Sequence, residues 1–228
     1  MELVTTQDDI TVVLFASDFP RATKAITIAS GAGLLTKGTV LGKITKGAAS
    51  SAEIAAGNTG DGTLTLDETT PILAGAKAGV YKARVIRAAL AQVGTTPAVP
   101  AQKALVELKD PDGNVLEVFD LPTSAGITIS NHIKFAMVEG STPFELGDGF
   151  DITIAAGSGK YAAYNASAIN GTEKAVLILG ENADDATSAD VKAIAYVSGH
   201  FNTAALTGLD AAARVDFEGT AILLGTVV

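Results

Sequence analysis

Residues 127–137 read ITISNHIKFAM, and this stretch decides the fold class. Its large apolar side chains fall on alternate positions, and most of the positions between them are polar. A period of two is typical of a β-strand that buries one face. The sequence therefore predicts a half-buried antiparallel sheet, whose inward side chains here are Ile127, Ile129, Ile133, Phe135 and Met137.

The surrounding sequence continues this pattern. Apolar and charged side chains alternate over residues 81–85, and DPDGN at 110–114 separates ALVEL from VLEVF. A Pro followed by Gly and Asn is typical of a hairpin turn, and GDG at 147–149 predicts a second turn before another alternating run. Residues 64–155 are thus predicted to form about five or six strands, arranged as a small sandwich or barrel.

Strands are predicted on both sides of this block as well. GAGLLTKGTVLGKIT at 31–45 indicates one or two strands bounded by glycines. AVLIL at 175–179 and VKAIAYV at 191–197 are apolar on both faces, which is typical of buried strands. TAALTGLDAAARV at 203–215 is predicted to be a short helix. The chain is therefore expected to be mainly β.

Two stretches of small residues separate these blocks. GAASSAEIAAGNTGDGT at 47–63 is predicted to be a linker or long turn, and AAGSGK at 155–160 a second junction. We therefore expect residues 46–157 to form a domain of their own, flanked by 1–45 and 158–228.

Composition excludes several classes of function. The 228 residues are 47% hydrophobic, which is enough for a core, and they include no Cys, which excludes disulfides and thiolate metal sites. The net charge of −9 opposes binding to nucleic acid or to an anionic membrane. Apolar runs are shorter than the roughly 20 residues of a membrane-spanning helix, and the N-terminus does not read as a secretory signal. Synthesis and folding in a cytoplasm, without export, are expected.

Few side chains offer chemistry. Of the two histidines, His132 is predicted to lie on the surface of a strand. His200 is predicted to take part in loop packing or in a subunit contact. Both predictions are favoured over a role as metal ligand or general base. DPDGN does not match the spacing of a calcium loop. GNTGDG at 57–62 lacks the ending of a phosphate-binding loop, and Ser130 lies outside any hydrolase elbow. Solvated loop carboxylates explain the acidic run of Glu181, Asp184, Asp185 and Asp190 better than a cation site.

The flanking segments carry a family resemblance. The segments concerned are GTVLGKIT, SGKYAAYN, the turn Asn170-Gly171-Thr172, AVLIL, and VSGHFN leading toward the predicted helix. Together they resemble the head decoration proteins of tailed bacteriophages, the family of the small protein that coats the phage lambda head. The resemblance implies a β-tulip-like decoration core made of 1–45 and 158–228. Residues 46–157 would then be a small antiparallel β domain inserted in a surface loop, where chain closure costs little.

The resemblance also implies a function. Such proteins bind the expanded head as homotrimers, contact the major capsid protein and stabilise the shell against internal DNA pressure. It implies no enzyme activity, no cofactor and no metal, a place on the outer surface of the virion, and no nucleic-acid or membrane partner. The inserted domain is a candidate for binding a host-surface ligand.

Candidate contact residues follow from the same resemblance. An N-terminal arm over about residues 3–19 would add a strand to capsid protein, and its removal is expected to leave a folded protein. Phe19 is interpreted either as an anchor that inserts into a pocket of capsid protein or as a core residue. The predicted helix is interpreted either as a contact at the three-fold axis of the trimer or as a core helix. The candidate arm residues are Ile10, Val12, Leu14, Phe15, Asp18 and Phe19, and the candidate trimer contacts are His200 and Phe201.

Two other functions stay open from sequence. The chain could be a tail or baseplate structural protein, or a host-surface-binding protein of a phage, because inserted β domains suit several virion parts. It could also be an enzyme of a trimeric β-rich fold, for which no motif is present in the sequence. Position in the virion would distinguish the first of these from a capsid protein.

Overall fold

The computed structural model describes residues 13–90, 102–123 and 125–227. Strands make up 46% of the structure, which confirms the prediction of a mainly β fold. Contacts between backbone positions divide the chain into two compact units. Unit 1 comprises residues 1–44 and 159–228, and unit 2 comprises residues 45–158.

The described strands, in chain order, are β1 (Ala22–Ile28), β2 (Val40–Lys43), β3 (Lys46–Glu53), β4 (Thr63–Leu66), β5 (Gly79–Arg87), β6 (Ala104–Lys109), β7 (Val115–Leu121), β8 (Ile127–Asn131), β9 (Ile133–Val138), β10 (Gly149–Ala156), β11 (Tyr161–Ala163), β12 (Ala175–Leu179), β13 (Val191–Asn202) and β14 (Ile222–Gly225). A 3-10 turn covers Thr203–Ala205, and the helix α1 covers Ala211–Phe217.

Unit 1 is built on a closed ring of strands. The pairing order is β1-β11-β2-β12-β13, and β13 pairs back onto β1, while β14 extends β13 in parallel. The ring encloses fully buried side chains that include Ile28, Leu41 and Leu179. Gly42 permits a close approach of two backbone segments in this unit, because a Cβ there would lie 2.5 Å from backbone atoms of Thr172.

A second apolar cluster lies on the outside of this ring, beneath α1. Val40 and Ile178 from the ring pack there against Phe201 and against Phe217 of the helix. The helix predicted over 203–215 is therefore only partly correct. Gly208 has a φ of +82°, a conformation that interrupts a helix. The helix α1 begins only after Asp210, whose carboxylate caps it by accepting a 2.7 Å hydrogen bond from the Ala213 N–H.

Unit 2 contains two sheets. One has the order β3-β10-β5-β6-β7, and the other has the order β4-β9-β8. The rings of Phe119 on β7 and Phe135 on β9 lie 6.4 Å apart, so the two sheets pack against each other. Tyr81, Leu108 and Ile152 are fully buried in this unit.

The stretch 127–137 forms a hairpin and not a single strand. Asn131 pairs with Ile133, and His132 between them has a φ of +59°. The alternation survives because both strands turn their odd-numbered side chains inward. His132 is consequently half-buried rather than on an open surface, and its Nδ1 is buried without a hydrogen-bond partner among the described residues.

The turn and linker predictions have different outcomes. The DPDGN turn is confirmed, because the Asp110 N–H donates to the Asn114 carbonyl at 2.9 Å and Gly113 has a φ of +89°. The linker predicted at 47–63 is wrong over its first part. Residues 46–53 form β3, which pairs with β10 through its backbone, and its small side chains carry no alternation that would reveal it.

Candidate functional site

The described part of the N-terminal segment is attached to unit 1 through an isolated β-bridge between Phe15 and Phe201. It runs antiparallel to the end of β13, where the Asn202 N–H donates to the Leu14 carbonyl at 2.9 Å. The Ala16 N–H donates to the His200 carbonyl at 3.0 Å. The Asn202 side-chain amide adds a third bond, to the Val13 carbonyl at 3.0 Å. The segment Val13–Ser17 is thus fixed by main-chain pairing to a strand far away in the sequence.

Its side chains reinforce this attachment. Leu14 is only 7% exposed and belongs to the apolar cluster beneath α1. The Phe15 ring lies edge-on to Tyr196, with centroids 5.3 Å apart, and 5.5 Å from the Phe201 ring. The Arg21 guanidinium lies over the Phe15 ring, 4.4 Å from its centroid. Such an aromatic and cation–π arrangement adds stability beyond burial alone.

The predicted trimer contacts lie in the same region. The Ser17 hydroxyl and His200 Nδ1 are 2.7 Å apart, so half-buried His200 ties the segment to β13. Phe201 is fully buried within its own chain. A direct contact between the Phe201 side chain and another copy does not fit this placement, whereas such a role for His200 stays a prediction.

The predicted arm residues divide into two groups in the structure. Leu14 and Phe15 are built into unit 1, whereas Asp18 is exposed and pairs with Arg21 at 3.4 Å. Phe19 is 39% exposed, so it is not core. Ile10 and Val12 lie outside the described residues.

Sequence reasoning missed three residues of this site, Arg21, Tyr196 and Asn202. The last of these ends the VSGHFN segment that carried the resemblance. Its side chain makes two bonds, donating to the segment and accepting from the Ala204 N–H at 3.2 Å. An Asn directly before the helix predicted over 203–215 was the available signal, because Asn commonly caps the start of a helical turn.

Two side chains of the acidic run, Asp185 and Asp190, have structural partners. Asp185 accepts hydrogen bonds from Thr187, and Asp190 pairs with Lys160 at 2.5 Å, which together with the Ser30 N–H lowers the pKa of Asp190. Within the described ranges, no group of three or more His, Cys, Asp or Glu side chains is arranged to hold a metal ion. No described helix is long and apolar enough to cross a membrane.

The loop 57–62 is also structural. The Asp148 carboxylate accepts hydrogen bonds from the backbone N–H groups of Thr59, Gly60 and Glu145, at 3.0, 2.9 and 2.9 Å. Burial by itself would raise the pKa of Asp148, but these three donors together bring it below the usual value. The loop therefore fixes two turns of unit 2 to each other.

Comparison with known proteins places the chain in a family. The family model of the bacteriophage lambda head decoration protein D matches residues 4–223. The chain belongs to this family. The resemblance seen in the sequence is confirmed, and the family is one of structural phage proteins of the virion head rather than of enzymes.

The other two comparisons add little. A search of curated proteins found no match. Among solved structures, the chain is similar to FlgL of Xanthomonas campestris at 16% identity, over 53% of this chain and 33% of that one, with a TM-score of 0.31. The chain thus spans about a third of that protein, and a score this low carries no argument about the fold.

Proposed function

We propose that this protein binds the expanded head of a tailed phage as a homotrimer and stabilises it against internal DNA pressure. The match of residues 4–223 to the head decoration family carries this proposal. The partner is the major capsid protein, and the site of action is the outer surface of the virion, after synthesis in the host cytoplasm. We expect no catalysis.

We further propose that unit 1 is the decoration core and unit 2 an inserted domain that projects from the head. A structural protein present in many copies needs only modest affinity per contact, because contacts made by one trimer reinforce each other. The net charge of −9 would keep decorated particles apart in solution. Unit 2 is the candidate for binding a ligand on the host surface.

Co-sedimentation with expanded, undecorated heads tests the proposal. We expect saturation near one copy per capsid subunit, together with higher resistance of the shell to heat or chelator. Sedimentation velocity of the free protein would show whether the trimer forms before binding. No binding at micromolar protein would contradict the proposal and direct the search to the tail or to the host surface.

Removal of residues 1–12 tests the arm within the same assay. The expected product is folded but binds heads poorly, because main-chain pairing by the arm is lost. The truncation suggested by the sequence, removal of residues 1–19, is unsuitable because it also removes Leu14, which packs in the apolar cluster beneath α1. The variant Phe19→Ala is a useful companion, because it changes an exposed side chain beside the segment and leaves the cluster intact. Normal binding by the 1–12 truncation would contradict the arm hypothesis.

A further inference from the structure

The outer edge of β14 carries backbone groups that point away from its own sheet. β14 is the last strand in the pairing order of that sheet and runs parallel to β13. The Gly199 N–H donates to the Ala221 carbonyl at 3.0 Å. This register turns the backbone groups of Ile222 and Leu224 outward. The Ile222 N–H bonds to the Thr220 hydroxyl at 3.2 Å, whereas the Leu224 N–H and both outward carbonyls have no partner among the described residues.

The side chains along this edge are apolar. Ile222 is buried in the cluster beneath α1, whereas Leu223 is 42% exposed and Val227 is 52% exposed. On the helix side, Val215 is 62% exposed. A groove of about 320 Å³ lies between the last turn of α1 and β14, and Phe217 and Leu223 are among the residues that line it. An extended segment that paired with β14 would therefore find both free backbone groups and an apolar groove beside them.

This edge lacks the usual protection against pairing with other strands. Exposed edge strands commonly carry Lys, Pro or a bulge, each of which discourages pairing with another chain. Residues 219–228 contain no charged residue and no Pro, and the pairing of β14 with β13 has no register shift. Arg214 and Glu218 line the groove from the helix side with opposite charges. An apolar edge of this kind favours aggregation unless a partner covers it whenever the protein is folded.

We propose that a second copy of this chain covers the edge of β14 and the groove beside it, and that this contact builds the homotrimer. The inference rests on the proposed function and names the surface through which the copies associate. A second copy is present from synthesis onward, whereas the expanded head is met only later. A three-fold arrangement makes the contact heterologous, so each copy presents its β14 edge to a different surface of the next copy.

The net charge of the chain favours this surface for self-association. Two copies that each carry a charge of −9 repel each other, so a contact between them forms most easily where acidic side chains are few. The β14 edge meets this condition, because residues 219–228 are uncharged. His200, one of the two trimer contacts predicted from the sequence, is the register partner of Leu223. The sequence-based prediction for His200 therefore concerns the same surface.

A charge placed on the edge tests the proposal. Wild-type protein at micromolar concentration is expected to sediment as a trimer, and Leu223→Lys is expected to associate at least about tenfold more weakly. The matched control is Ile194→Lys, which adds the same charge to a strand of unit 1 at a side chain of nearly equal exposure, 43%. Ile194 precedes by five positions the residue of β13 at which pairing with β14 begins, so this variant is expected to remain a trimer. Circular dichroism establishes that both variants are folded.

Amide hydrogen exchange of the wild-type protein provides a second readout that needs no substitution. The Leu224 N–H points away from β13, so it is expected to exchange slowly in the trimer and at least about tenfold faster in protein diluted to the monomer.

Three results would overturn the proposal: wild-type association by Leu223→Lys, an equal loss of association in Ile194→Lys, or rapid exchange of the Leu224 N–H in the trimer. Wild-type protein that is monomeric in solution and still saturates heads would overturn this inference but not head binding. A trimer that does not bind heads would contradict the proposed role on the head and leave the β14 contact in place.

Discussion

Replacing Asp148 with Ala should strongly destabilise unit 2. The side chain is only 5% exposed and accepts three backbone hydrogen bonds. Each hydrogen bond to a charged acceptor contributes about 1.5–3 kcal/mol to the free energy of unfolding. In the variant, water molecules can bond to some of the freed N–H groups once the loops relax, and this recovers part of the lost free energy. We therefore expect the free energy of unfolding to fall by about 4 kcal/mol.

The matched control is Glu145→Ala. It removes the same charge from the same loop, but the Glu145 side chain is exposed and only its backbone N–H bonds to Asp148. Its effect should therefore stay within about 0.5 kcal/mol. Asp148→Asn should fall between the two variants, because the amide keeps one oxygen acceptor but turns an NH₂ group toward the remaining donors.

Urea unfolding, followed by circular dichroism and by amide exchange of the unit 2 strands, measures these differences. The pH dependence provides a further check. Because the pKa of Asp148 lies below its ordinary value in the folded protein, the stabilisation is fully present above about pH 4 and is lost as the pH falls through the folded pKa. The difference in unfolding free energy between wild type and Asp148→Ala should thus become smaller in acid. A gap no larger than that of Glu145→Ala at pH 7 would refute the reasoning.

Three other substitutions have clear expected outcomes. Glu139→Met should raise the free energy of unfolding by about 1–3 kcal/mol in urea titration, because both Glu139 oxygens are buried without hydrogen-bond partners among the described residues. Asp110→Ala should lower it by about 2 kcal/mol through loss of the turn bonds and the Lys77 ion pair, equally with calcium or with chelator present. Gly42→Ala should lower the thermal midpoint of unit 1, at a cost of about 3 kcal/mol, because the new Cβ would collide with the backbone of Thr172.

Much of the strand pattern could be predicted from the sequence, because burial of one face imposes a period of two on the side chains. The segment 175–179 is a strand with the predicted bounds, and the 191–197 strand continues to residue 202. β3 could not be predicted in this way. Its side chains are mostly Ala and Ser and are mostly exposed, so its place in the sheet depends on backbone bonds to β10 that leave no trace in composition.

The candidate site was predictable only as a region. The sequence indicated residues 3–19 as a contact segment, but it could not separate Leu14 from Phe19. That separation depends on pairing between Val13 and Asn202, which lie 189 positions apart in the chain. Burial in so short a segment is decided by its distant partner strand, and local periodicity holds no information about that partner.

The place where the chain leaves and re-enters unit 1 explains why a domain of this size fits there. β2 and β11 are antiparallel neighbours, with Lys43 opposite Tyr161. Just beyond them, the Ile44 N–H donates to the Lys160 carbonyl at 2.8 Å, and the Gly159 N–H donates to the Ile44 carbonyl at 2.9 Å. Unit 1 thus holds both chain ends together by itself. The entropy of closing the connection grows only with the logarithm of its length, by about 0.6 kcal/mol per doubling, so unit 1 can carry residues 45–158 in place of a short hairpin loop at a cost of about 3 kcal/mol.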